Sequence, residues 1–264
     1  MKTIGQIFKY IESIKDRIEF MPSGFGKLDA FLDGGFMRKE LVVVGGFTGF
    51  GKSYLAGQIF YNIALNGFKS AYFSLEISNE MVASRLAGAL ANIKPTRILV
   101  GYTSPDEHDE LVKRKAELSL LEGVMAFYDD IYMLDEIKKE IKDNGYEFIV
   151  VDFIQNVMVL GMDEYTRLSF VALELQKLAK ELDCTILVLS QLSNQVGREK
   201  SKTQVEYKGS GSIATVCDLG FFIEKADGES QELQLLLKKN RRGISNVAFP
   251  MNFKSPGGMI YAKN

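Results

Sequence analysis

Residues 46–53 read Gly46-Phe47-Thr48-Gly49-Phe50-Gly51-Lys52-Ser53, a full match to the pattern G-x-x-x-x-G-K-[ST]. The run Leu41-Val42-Val43-Val44 just before it is short and apolar, as a buried strand is, and the spacing after it predicts a helix over residues 52–66. A strand, a glycine-rich turn and a helix in that order make a cradle for phosphate. Glycines let the backbone curl so that successive N–H groups point inward at anionic oxygens. The helix N-terminus adds its positive dipole end. Lys52 is then placed to bridge the β- and γ-phosphates of ATP, and Ser53 to ligate Mg²⁺. The competing reading is a plain glycine turn between strand and helix.

Outward from this cradle the chain alternates. Residues 70–75, 124–128, 148–151 and 185–189 read as strands, and residues 80–91, 106–121 and 134–143 as helices. Leu168, Val171, Ala172, Leu175, Leu178, Ala179 and Leu182 mark one face of a long helix. Near-continuous apolar strands alternating with helices predict an α/β fold, with a mostly parallel central sheet covered on both faces. From Leu219 the character changes. Residues 219–224, 233–238, 246–253 and 259–262 look like successive strands, a β-rich C-terminal extension of the same sheet. At the other end Ile4, Ile7, Phe8, Ile11, Ile14 and Ile18 fall at helical spacing before Met21-Pro22-Ser23-Gly24 breaks the pattern. The chain therefore divides into an amphipathic helix over residues 1–21 and one nucleotide-binding domain over residues 22–264.

Composition narrows the function. With 264 residues, 46% apolar and 25% charged, the chain can build a core and stay soluble. No apolar run reaches membrane-spanning length, and residues 1–20 carry charges throughout without a signal-peptide core, so a cytoplasmic protein is expected. A net charge of −2 excludes a surface coated in positive charge, so any nucleic-acid site must be a local patch. Cys184 and Cys217 sit in apolar stretches without metal spacing and read as reduced, buried thiols. His108 is the only histidine, which argues against histidine-based metal chemistry or a Ser-His triad.

A phosphate cradle needs a second metal partner at the end of a neighbouring strand. Phe148-Ile149-Val150-Val151-Asp152 supplies apolar residues and then a carboxylate, so Asp152 is expected to hold Mg²⁺; an ordinary strand-end aspartate is the alternative. Hydrolysis also needs a group that activates water. Glu76 ends the strand of residues 70–75, which is expected near the cradle strand, and can act as general base. It can equally be an acidic residue leading the helix that follows Ser78.

Five further segments together resemble one family, the motor domain of DnaB-type replicative helicases, a RecA-like P-loop ATPase. They are Tyr72-Phe73-Ser74-Leu75-Glu76-Ile77, Ile149-Val150-Val151-Asp152-Phe153-Ile154-Gln155, the pair Leu178-Ala179-Lys180-Glu181-Leu182 and Leu189-Ser190-Gln191-Leu192-Ser193, Gly209-Ser210-Gly211-Ser212-Ile213 through Asp218, and Lys239-Asn240-Arg241-Arg242-Gly243. The resemblance spans about residues 22–262; apart from the cradle no single segment is specific, and their order and spacing are.

It implies that Glu76 is the catalytic base, that Gln191 senses the γ-phosphate, and that Lys239 and Arg241 enter the ATP site of the adjacent subunit. Such a trans contact implies a homo-oligomeric ring, a hexamer, and the resemblance further implies movement 5′ to 3′ on single-stranded DNA, as in the family. Without the family, residues 238–242 read as a solvated basic strand end. Residues 198–208, with Arg198, Lys200, Lys202 and Lys208, line the central channel in the family, and phosphates would be tracked by Lys208 and by amides around Gly209, Ser210 and Gly211. An exposed loop is the alternative, because Lys208-Gly209 stands where an Arg-Glu pair is common and Ala214-Thr215-Val216-Cys217 replaces an acidic-polar run. Family members usually carry an N-terminal helical domain that meets primase; here the helix of residues 4–18 resembles only the linker that packs on a neighbour, and no loader or primase partner can be named. A regulatory or recombination ATPase of the KaiC or RadA type is the competing function.

Overall fold

In the computed structural model of the chain, the described residues are 3–15, 19–191, 211–225 and 232–262. Among them nine strands form one sheet, β1 (Leu41–Gly46), β2 (Ser70–Ser74), β3 (Met125–Tyr128), β4 (Phe148–Asp152), β5 (Thr185–Gln191), β6 (Leu219–Lys225), β7 (Glu232–Asn240), β8 (Val247–Lys254) and β9 (Met259–Ala262). Their spatial order is β3-β2-β4-β5-β1-β6-β7-β8-β9. The six from β3 to β6 are parallel, and β7, β8 and β9 extend the sheet antiparallel. The mostly parallel sheet with its β-rich extension is thus present. One expectation needs correction: β4, which ends in Asp152, is not a neighbour of β1, because β5 lies between them, and β2 lies one strand further out. Glu76 and Asp152 still come toward the cradle because all these strands run the same way and open at one edge.

Period-two alternation on buried strands sorts the core into two layers. Val42, Val44, Tyr72, Val150 and Leu187 face one side, under α2 (Gly26–Phe31) and α3 (Lys52–Leu65). Leu41, Val43, Phe73, Ile149, Val151 and Val188 face the other, under α7 (Leu134–Asn144) and α8 (Glu164–Leu182). The short helix α9 (Gly211–Val216) lies on this second side through Ile213 and Cys217. A satellite cluster of Ala87, Ile93 and Leu111 ties α4 (Asn79–Ala91) and α5 (Pro95–Val100) to α6 (Pro105–Ser119). The helix starts are written locally. Ser104 and Glu107 form a reciprocal capping box with Pro105 at the first helical position, and Asp163 caps α8 through the Thr166 amide.

The first helix, α1 (Ile4–Ile14), has no buried residue, and Ile4, Phe8 and Ile11 stay 69%, 59% and 45% exposed. Its apolar stripe is not covered by the described residues of this chain. Met21 belongs to the main core instead, bridged to Phe36 in antiparallel fashion. Both cysteines are free and buried, and His108 lies exposed on α6. No helix among the described residues is long and apolar enough to cross a membrane.

Candidate active site

The cradle is the turn between β1 and α3. Gly51 is the residue before α3 and adopts φ +85°, a left-handed conformation that glycine takes without strain. Gly46 is required for a different reason: a Cβ there would sit 2.7 Å from Ile223 Cγ2 and 2.9 Å from the Ile223 carbonyl oxygen on β6. Lys52 lies at the base of the turn, 9% exposed, and its Nζ donates to the carbonyl oxygens of Gly46 (2.8 Å) and Phe47 (3.0 Å). Burial lowers its pKa, and the carboxylates of Asp152 and Glu76 oppose that. An ammonium held this way, with carbonyl partners only, has strong affinity for phosphate oxygens.

The cradle opens on a cleft. Thr48, Gly49, Phe50, Gly51, Lys52 and Ser53 line one side, and Glu76, Asp152 and Gln191 face them. Gln191 ends β5 and pairs in register with Gly46, so it stands beside the start of the turn. The loop after Asp152 supports it: Gln155 Oε1 accepts from the Gln191 amide (3.4 Å) and Gln155 Nε2 donates to Ser190 Oγ (3.0 Å).

Asp152 is 2% exposed and accepts a 2.7 Å hydrogen bond from the Tyr72 hydroxyl. Burial raises its pKa, against hydrogen bonds from Tyr72 and Ser53 and the charges of Arg85 and Lys52. A carboxyl with a raised folded-state pKa holds its proton more tightly folded than unfolded, so its contribution to stability is lost as pH rises through these values. At pH 7 the charge therefore costs stability. Asp152→Asn keeps an acceptor for Tyr72 and removes the charge. It is expected to raise the melting temperature of the nucleotide-free protein at pH 7 by a few degrees. Thermal scans should find this gap narrowing as the pH is lowered toward the carboxylate range; a lower melting point at pH 7 would contradict it.

Glu76 follows β2 at the mouth of the cleft. Burial first, and then the Asp152 charge, raise its pKa, while Lys52 and Arg85 lower it. It also lies two residues ahead of Ser78, the cap of α4, so it leads that helix as well as facing the cleft. Facing the cleft, its carboxylate is a base whose proton affinity exceeds that of an exposed glutamate, which suits proton abstraction from water.

Sequence reasoning missed four groups here. Arg85 on α4 lines the cleft and lies over the Tyr54 ring at 4.9 Å. Lys225, Leu233 and Phe253 form the far wall, with Lys225 5.9 Å from the Phe50 ring centroid and Tyr54 meeting Phe253 edge-on at 5.3 Å. The β8–β9 turn folds this wall back over α3, where the Ile260 amide donates to Gln58 Oε1 (3.0 Å).

Lys239 and Arg241 are not in this cleft. Lys239 pairs with Gly220, which is level with Val43, three positions down from Gly46 and thus roughly 10 Å away along the strand. Arg241 lies beyond it in the same direction. Arg241 is 46% exposed, yet the charged ends of both have partners within the chain. Lys239 Nζ donates to the Ala214 and Thr215 carbonyls at 2.7 and 2.6 Å, and Arg241 donates to Asp218 Oδ1 at 3.1 Å and the Thr215 carbonyl at 3.0 Å. Arg242 is wholly structural: its guanidinium clasps the Glu40 carboxylate and donates to the Leu32 and Gly35 carbonyls. Arg198, Lys200, Lys202, Lys208, Gly209 and Ser210 lie outside the described residues, and Gly211 opens α9.

Comparison with known proteins agrees with this geometry. Residues 21–256 match the family described as DnaB-like helicase C terminal domain. The replicative DNA helicase DnaB of Geobacillus stearothermophilus and the replicative DNA helicase DnaC of Bacillus subtilis are each 27% identical over 259 residues, covering 90% of this chain and 56% of theirs. The chain thus spans about half the length of these relatives. Among solved structures, an ATPase domain superposes with a TM-score of 0.86 at 22% identity, over 99% of this chain and 97% of that one. A KaiC-like protein from Pyrococcus horikoshii superposes with a TM-score of 0.66 at 18% identity, over 94% of this chain and all of that one. These matches, with the cradle, the buried aspartate and the strand order in one domain, make the chain a member of the DnaB-like helicase C-terminal domain family.

Proposed function

We propose that this chain is the ATP-hydrolysing motor of a DnaB-type helicase, working at the subunit interfaces of a hexameric ring that moves 5′ to 3′ on single-stranded DNA. One observation carries the reading. Lys52, Ser53, Glu76, Asp152 and Gln191 converge on a single cleft, while Lys239 and Arg241 sit at the far end of the sheet, where they cannot serve the cleft of their own subunit. In a ring each such end meets the next cleft.

The roles follow from the chemistry of each group. The backbone amides of residues 46–51 and Lys52 grip the phosphates of ATP. Ser53 and Asp152 offer hard oxygen donors that would hold Mg²⁺. When bound there, the metal would supply charge neutralisation on the phosphate tail. Glu76 takes the proton of the attacking water, Gln191 reads the γ-phosphate, and Arg85 adds positive charge from α4. Arg241 of one subunit, with Lys239, stabilises charge on the phosphoryl group held by its neighbour. The uncovered stripe of α1 supports assembly, since a second copy can bury it. DNA contacts are assigned to Arg198, Lys200, Lys202 and Lys208 with the amides of residues 209–211; repeated around a ring, such a patch concentrates positive charge despite the acidic total.

Single-stranded DNA is expected to raise the ATPase rate, and the stimulation to fall steeply with added salt as phosphate contacts are screened. A fork-unwinding assay run beside it tests the motor directly. A DNA-independent rate at every salt concentration, with no unwinding, would favour the regulatory ATPase reading instead.

A further inference from the structure

Lys239 and Arg241 are neighbours at the end of β7, two like charges side by side, and repulsion alone would drive them apart. They are held together by one structure, the last turn of α9 and the residue two places beyond it. The carbonyl oxygens at the end of a helix lack intrahelical partners and carry its negative pole. Those of Ala214 and Thr215 take three hydrogen bonds from the two cations. Asp218 supplies the carboxylate, through Oδ1 to the Arg241 guanidinium. It is itself fixed from three directions. Its Oδ2 accepts from the Leu41 amide (3.0 Å), its own amide donates to the Leu41 carbonyl (2.9 Å), and its carbonyl accepts from the Arg241 amide (3.0 Å). Gln176 of α8, 7% exposed, lies 3.4 Å from Oδ1 and donates at 2.6 Å to the Val216 carbonyl. Asp218 is 9% exposed, and an ordinary strand-leading aspartate has no need of this many partners.

We infer that Asp218, braced by Leu41 and Gln176, is a positioning residue that aims Arg241, with Lys239, at the phosphates of the adjacent subunit. This rests on the proposed function, because it presupposes that Arg241 works in trans. Asp218 touches no substrate; it acts through Arg241. Leu41 begins the strand that ends at the cradle, so one rigid strand joins the cations a subunit exports to the loop with which it binds its own nucleotide.

Asp218→Asn keeps the shape and removes the charge. It is expected to leave the KM for ATP within about twofold and to lower kcat about 10–100-fold, the scale of a misaimed catalytic group. A merely structural role is separated by mixing subunits. Lys52→Ala subunits carry a dead cradle and intact exported cations, whereas Asp218→Asn subunits carry the reverse defect. A mixture of the two is expected to regain activity to the level of a control mixture of Lys52→Ala with Arg241→Ala; Asp218→Asn mixed with Arg241→Ala is expected to show no gain over Asp218→Asn alone. Wild-type kcat in Asp218→Asn overturns the inference and leaves the proposed function standing. So does failure of the Asp218→Asn mixture to recover when the control recovers, since the defect then lies in its own cleft. A control mixture without activity counts against the trans reading itself, and the inference falls with it. If Asp218→Asn does not fold, Gln176→Met, which removes the brace from α8, is to be read by the same kcat-against-KM split and the same mixtures, with a smaller loss.

Discussion

Arg241→Ala is expected to bind ATP as the parent chain does and to hydrolyse it about 10³–10⁵ times more slowly. The two halves of that result come from one geometry. Arg241 lies beyond the end of β7, toward the strand ends opposite the cradle of its own subunit, and does not line the cleft, so no contact that holds nucleotide in cis is lost. What is lost is a guanidinium opposite charge that develops as the phosphoryl group transfers, an interaction stronger in the transition state than in the ground state. Equilibrium binding of a nucleotide analogue measures the first half and steady-state turnover the second. The side chain is 46% exposed, so its removal leaves no cavity in the core. Concentration is the sharper control. If a dilute monomer turns over ATP as fast as the assembled ring, the trans assignment is wrong, whatever the mutant does.

Lys52→Ala is expected to abolish turnover without harming the fold. Lys52 is the cation most deeply placed in the cleft, and burial already disfavours its charged form. The carbonyls of Gly46 and Phe47 satisfy its hydrogens, the carboxylates of Asp152 and Glu76 offset part of the burial, and phosphate adds the counter-charge in direct contact. Without the lysine, the β- and γ-phosphates lose their central counter-charge while Glu76 and Asp152 remain opposite them. Nucleotide affinity should fall along with rate, which separates this variant from Arg241→Ala. The nucleotide-free protein should melt no lower than the parent, because a costly buried charge has gone. Normal turnover in this variant would remove the cradle assignment and every role that depends on it.

The cradle was legible because all of it is local: the residues that curl, donate and ligate are eight in a row, and one apolar strand and one helix flank them. Strands such as β4 and β5 were legible for a similar reason, as short unbroken apolar runs bounded by turns. Strand order was not. Nothing in residues 70–75 or 148–152 says that β5 will slot between β4 and β1, because that is decided by how the crossovers pack. The helices α2 and α5 were missed because six residues are under two turns, too few for a helical period to emerge. Arg85 reads as one more charged helix residue until α4 is laid beside Tyr54. The hold on Asp152 by Tyr72 depends on the β2–β4 register, which pairs Tyr72 with Val150 and so sets it diagonally from Asp152 on the same face. Residues 238–242 looked like one basic patch. The fold gives them separate duties, Arg242 to the Glu40 clasp and Lys239 and Arg241 to α9, through partners far away in sequence.

The far wall of the cleft has a consequence for the order in which the protein becomes competent. Gln58, on the helix that follows the cradle, and Ile260, which anchors the wall, are 202 positions apart. A polypeptide leaving the ribosome therefore displays its glycine-rich turn long before Leu233, Phe253 and Ile260 exist to stand beside it. Until translation has passed the last hairpin, the nascent chain carries a cradle without its far wall.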